Sequence, residues 1–146
     1  MMQDMVEVAG KLSIVLTTAD GMVKDSRELN NLIVQVGKNY LAGGVIGSLT
    51  QPFIQMALGT GTTAATTSDT ALQTQLARHA FTTASMAANV ATVSTTFDAG
   101  VATGSLTEAG IFNAATAGVM LSRVVFSVVN KAATDVLTIT WSITIG

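Results

Sequence analysis

Residues 137–145 alternate without a break. Leu137, Ile139, Trp141, Ile143 and Ile145 fall on one side, and Thr138, Thr140, Ser142 and Thr144 on the other. Side chains of an extended chain point to opposite faces with a period of two, so this segment is a strand with one buried face. Burying its five apolar side chains contributes on the order of 7–15 kcal/mol gross, an upper figure relative to an extended unfolded chain. The other face is uncharged and suits either water or a neighbouring subunit.

The same period runs back to Arg78. Strands are expected at about 80–85, 89–97, 106–113, 119–129 and 136–145, separated by Asp98-Ala99-Gly100, Thr116-Ala117-Gly118 and residues 130–135. Upstream, residues 12–18 alternate, and Asp20-Gly21 signals a type I′ turn into a short return strand at 22–25. Residues 25–31 are polar. Leu32, Val36 and Tyr40 have helical spacing, so 32–42 is read as a helix, capped by Asn30 or Asn31 and ended by Gly43-Gly44. Gly37 weakens it by about 1 kcal/mol relative to Ala. After the break at Pro52, 53–58 reads as a strand and 59–68 as a loop. Residues 69–77 read as one or two helical turns capped by Ser68 or Asp69. The fold expected is mainly β, an antiparallel β-sandwich or jelly roll with an N-terminal hairpin and arm and one or two short helices. Residues 1–50 supply the arm, hairpin and helix; residues 51–146 form the sandwich, with 10–50 packed on it as one compact unit.

Composition narrows the function. Only 11% of residues are charged, against roughly 25% in ordinary soluble domains. A surface of Thr, Ser, Ala and Gly is cheap to desolvate, because few charges must be stripped of water. The expectation is a soluble chain that buries surface against other subunits. The segment 119–129 agrees, being apolar on both faces; its second cover is a loop, the predicted helix or a partner. There is no Cys and a single His, and the net charge is −2. Disulfides, thiolate chemistry and a His-rich metal site are therefore excluded, and nucleic acid is not an expected partner. The start, Met1-Met2-Gln3-Asp4, lacks the basic region and apolar stretch of a signal peptide. The longest apolar stretch, 114–129, is broken by Thr116, Ser122 and Arg123, so no membrane partner is expected.

Chemistry-bearing patterns are few. Gly59-Thr60-Gly61 invites a phosphate-loop reading. No Lys lies between Lys38 and Lys131, however, and the third glycine of a dinucleotide fingerprint is Ala64. His79 has no nucleophile or acid partner in view and reads as a packed or surface residue. Trp141 reads as core, and Lys131 and Asp135 as solvated residues flanking the last turn. Glu108 stands out in an otherwise apolar strand, on the side of Leu106, Gly110 and Phe112. Arg123 on the next strand is its expected partner, in a structural ion pair that fixes register more than it adds stability. No catalytic, cofactor-binding or metal-binding residue is expected, and the chain reads as a non-enzyme.

Four stretches carry a family resemblance. They are residues 30–39 (Asn30-Asn31-Leu32 to Val36-Gly37-Lys38-Asn39), residues 56–78 (Met56-Ala57-Leu58-Gly59-Thr60-Gly61 through Asp69-Thr70-Ala71-Leu72 to Leu76-Ala77-Arg78), residues 106–114 (Leu106-Thr107-Glu108-Ala109-Gly110-Ile111-Phe112-Asn113-Ala114) and residues 120–141 (Met120-Leu121-Ser122-Arg123 to Trp141). In this order they resemble a family of small virion structural proteins of tailed bacteriophages, over roughly residues 10–146. Ala64-Ala65 departs from the proline expected in such loops. The resemblance implies a non-enzymatic virion component, made in the host bacterial cytoplasm. The expectation is a capsid decoration, or cement, protein on the outer head surface, a homotrimer that binds the phage major capsid protein and stabilises its contacts. The alternative is a tail, neck or fibre component with an attachment or receptor-recognition role. In either case Met1, Met2, Gln3, Asp4, Met5 and Val6 are the candidate interface, an arm able to add to an exposed sheet edge.

Overall fold

The computed structural model describes residues 7–146. Among them are nine strands and one helix: β1 (Val8–Thr17), β2 (Val23–Ile33), α1 (Gln35–Gly44), β3 (Gln55–Gly59), β4 (Gln75–Ala80), β5 (Thr83–Ala87), β6 (Val90–Phe97), β7 (Gly104–Phe112), β8 (Met120–Lys131) and β9 (Val136–Ile145). The arm expected at residues 1–6 lies outside the described residues. The fold is mainly β and sandwich-like. All pairings are antiparallel, in the order β4-β3-β7-β8-β2-β1-β9-β6-β5.

This single sheet curls into two layers. One layer is β2-β1-β9-β6-β5, the other β4-β3-β7-β8. They are joined where the end of β2 crosses over, pairing Leu32 with Arg123 and Ile33 with Ser122. At the far side β4 and β5 are consecutive in the chain. The amide of Phe81 bonds Ile54 O on one layer, and that of Thr82 bonds Ser94 O on the other. The chain thus passes between the two sheet edges in two residues. The hairpin β1–β2 lies at the centre of the strand order, so residues 8–33 build the sandwich rather than append to it.

The core fills the space between the layers. Leu12, Ile14 and Leu16 of β1, Phe97 of β6 and Leu137, Ile139, Trp141 and Ile143 of β9 face Met56, Leu58, Leu106, Ile111, Leu121, Phe126 and Val129. The alternation of β9 is realised in full except at Ile145, which is 48% exposed. A second, smaller cluster of Val34, Ala57, Leu72, Phe112 and Met120 lies on the outer face of the β3–β7–β8 layer. There α1 and the loop 60–74 supply the second cover that the two-sided strand requires. The cover over residues 120–126 is therefore internal and needs no partner. At the other end of β8, Val128 is 46% exposed.

Several local expectations are corrected. The segment 69–77 forms no helix: it continues the loop and then enters β4. Asp69 spends its cap-forming carboxylate on the Thr66 amide, 3.0 Å away, closing the loop instead. The helix starts at Gln35, not 32, because Leu32 and Ile33 are drawn into pairing with β8. Asn30 and Asn31 are thus strand residues, and the N-cap, Val34, has no side-chain bond. The polar stretch 25–31 is the body of β2, half-buried at every second residue. The Asp20-Gly21 turn is longer than a two-residue type I′ turn, and only Gly21 has positive φ, +86°. Gly37, a cost in an isolated helix, is required here: a Cβ would lie 2.8 Å from Leu121 Cα.

Candidate functional site

Glu108 and Arg123 come together. Glu108 is fully buried, and Arg123 Nε donates to its Oε1 at 3.1 Å. A register shift between Leu106 and Glu108 turns Leu106 into the core, so Glu108 shares its outward face with Gly110 and Phe112 but not with Leu106. Three backbone amides also donate to the carboxylate: Gly61 at 2.7 Å, Gln73 at 2.8 Å and Thr74 at 2.8 Å. A carboxylate offers about four acceptor positions. All are occupied, which leaves Glu108 as an anchor for the loop 60–74 and not as a free base.

Arg123 completes the junction. Its Nη1 donates to Asp69 Oδ2 at 2.9 Å and its Nη2 to Thr63 O at 2.9 Å. Burial opposes the charge of Asp69. Bonds from the Thr66 amide, Arg123 and the Thr66 hydroxyl outweigh it and hold the carboxyl below its usual value. Gln73 Oε1 accepts from the Thr62 and Thr63 amides, and Thr107 Oγ1 donates to Gly61 O at 2.7 Å. The glycines that suggested a phosphate loop serve this junction. A Cβ on Gly59 would lie 2.7 Å from Glu108 Oε2, and one on Gly61 closer still. Glycine is needed because a protein carboxylate, not a phosphate, packs against the backbone here. Beside it, the Arg78 guanidinium stacks 3.7 Å above the Phe112 ring and donates to Ala114 O and Ala117 O.

A second polar cluster sits where β1, β8 and β9 meet their turns. Lys131 and Asp135, expected to be solvated, are both buried. Lys131 Nζ donates to Asp98 O at 3.0 Å. Asp135 Oδ2 accepts from Lys24 Nζ at 2.7 Å and from the Ala132 amide at 2.8 Å. The Lys24 bond, then the Ala132 amide, hold the Asp135 carboxyl below its usual value. Burial pushes the Lys131 ammonium pKa down, against the attraction of Asp135 and Asp98. Apolar periodicity carries no signal for this cluster. His79, for its part, packs edge-on against Phe97, with ring centroids 5.6 Å apart.

The opposite end of the sandwich is apolar and open. Val45, Ile46 and Met86 are 87%, 83% and 79% exposed. Val45 and Ile145 line a cleft of about 560 Å³ with Val8, Leu41 and Ala42. Met86 and Ile145 line an adjoining cavity of about 180 Å³ with Leu41, Ala91 and Ile143. The two share Leu41 and Ile145, so they adjoin in a mainly apolar surface whose larger cleft is also lined by Lys38. Glu7, the first described residue, borders it, which puts the junction to the candidate interface residues 1–6 at this end. Sequence reasoning missed the surface because its residues come from β1, α1 and the turn after it, β5, β6 and β9.

No family model, curated protein or solved structure matches this chain.

Proposed function

We propose that this chain is a non-enzymatic structural subunit of a bacteriophage particle, a capsid decoration protein that associates with itself and clamps the major capsid protein. The observation that carries this is the open end. Exposed apolar patches beyond a few hundred Å² mark protein contact sites in soluble proteins, and here Val45, Met86 and Ile145 stand exposed around two adjoining clefts of a chain with 11% charged residues. The best-formed polar site, around Glu108, has its acceptor positions filled by the fold itself, which supports a structural role over a catalytic one. The phage context comes from the four sequence stretches alone. Many weak copies on one shell then act together by avidity.

The test is quantitative densitometry of purified particles of the phage that encodes the chain. Hundreds of copies per particle are expected, with loss of binding to bare heads when Val45 and Ile46 are both replaced by Lys. A few to tens of copies would make it a tail or fibre part instead, and absence from the particle would overturn the reading.

A further inference from the structure

The edge of β5 is unusual. Natural edge strands are blunted by Lys, Pro, a bulge or a covering element, because unpaired backbone groups recruit other strands. β5 is Thr83-Ala84-Ser85-Met86-Ala87. All five residues are exposed, none is charged, none is Pro, and the register with β6 runs without a shift. It pairs with β6 alone. The edge at the other end of the strand order, β4, carries Arg78 and His79.

The 180 Å³ cavity lies beside this edge. Met86 pairs with Ala91, and both line the cavity with Ile143, Ile145 and Leu41. A free backbone edge beside an apolar cavity is the arrangement that accepts an added strand: the main chain supplies hydrogen bonds and alternate side chains fill the hole.

The chain contains a segment of matching chemistry. Of residues 1–6, Met1, Met2, Met5 and Val6 are apolar, and methionine adapts well to irregular cavities. They join the fold at Glu7, beside Val8, which pairs with Ile145. Geometry decides between a chain's own edge and another copy's. In the order β1-β9-β6-β5, β1 lies three strand spacings from β5, or about 14 Å. Six residues span at most about 20 Å. Crossing to the chain's own β5 would consume about four of residues 1–6, so these six cannot both cross and pair with that edge.

We propose that residues 1–6 of one copy add as a strand to the free edge of β5 on a second copy, with their apolar side chains in the cavity lined by Leu41, Met86 and Ile143. Donor and acceptor surfaces differ, so the contact is head-to-tail and closes into a ring if the rotation allows, as in a trimer. This deepens the proposal that the chain self-associates and names the two surfaces involved.

The test uses the full chain, which has no cysteine of its own. Gln3→Cys and Ser85→Cys variants are mixed and treated with a short bis-maleimide, with Ser26→Cys in place of Ser85→Cys as the control. A covalent heterodimer is expected from the first mixture and not from the control. Separately, Met86→Lys should weaken self-association roughly tenfold or more, with an unchanged thermal midpoint. Three results would overturn the inference: no cross-linked dimer, equal yield at Ser26, or a Gln3→Cys/Ser85→Cys double variant that links only within one chain. Because the readout is association of the isolated chain, failure here leaves particle binding to be judged by the densitometry above.

Discussion

The two ends of this sandwich are built from opposite materials. At the end where β1, β8 and β9 meet their turns, two charged groups are buried and matched: Asp135 with the exposed Lys24, and Lys131 with Asp98 O. At the other end, where β1 begins and β9 finishes, the surface is Val45, Ile46, Met86 and Ile145, exposed and unmatched. The chain has few charges, and it commits several of the buried ones to locking loops and turns. That end is locked by charged contacts within the chain, although Met22 and Val23 beside Lys24 are exposed there too. The other is left as a surface that water covers poorly, which is what a subunit awaiting contacts requires.

The largest expected effect comes from breaking the fastened part. Glu108→Ala removes one of the two carboxylates that face the buried Arg123 guanidinium and strips three amides of their acceptor. A loss of about 3–5 kcal/mol is expected, measured by urea unfolding. Hydrogen exchange should quicken first at the amides of Gly61, Gln73 and Thr74. Gly61→Ala drives a methyl into the same carboxylate and should cost about 1–3 kcal/mol, with faster exchange confined to the loop 60–74.

Acid should probe the fastened groups next. Asp69 and Asp135 titrate below their usual value in the folded chain. Their contribution is fully present above the unfolded carboxylate value of about 3.9 and is lost as pH falls through the lower folded values. Thermal midpoints should therefore be flat from about pH 7 to 5 and fall below about pH 4. Asp69→Asn and Asp135→Asn should each shallow that fall. The smallest effect on stability is expected at the open end: Val45→Lys or Ile46→Lys should change it by no more than about 0.5 kcal/mol, while weakening self-association.

What the sequence disclosed follows from the reach of its signals. β9 was legible to the residue because its strict alternation is satisfied by one core face. The Glu108–Arg123 pair was legible because each is the one charge in an otherwise apolar strand and a single turn joins the two strands; the faces were not, since register shifts in β7–β8 break the alternation. The three amides that share Glu108 were not, since they come from a loop far away in the chain. β2 hid because its polar residues look like a loop, although pairing with β1 on one side makes it a strand. Residues 69–77 misled because Ser68 and Asp69 imitate a helix cap. In the fold, Leu72 packs on Phe112 and Met120 while Asp69 ties Thr66 and Arg123. The buried Lys131 and Asp135 had no local signal at all.

The open apolar end around Met86 and Ile145 is the proposed self-contact surface. Sedimentation velocity on the isolated full chain at micromolar concentration tests it most directly. A trimer that dissociates to folded monomers on Met86→Lys, with the thermal midpoint of the folded chain unchanged, is the predicted result. A monodisperse wild-type monomer across that concentration range would contradict it.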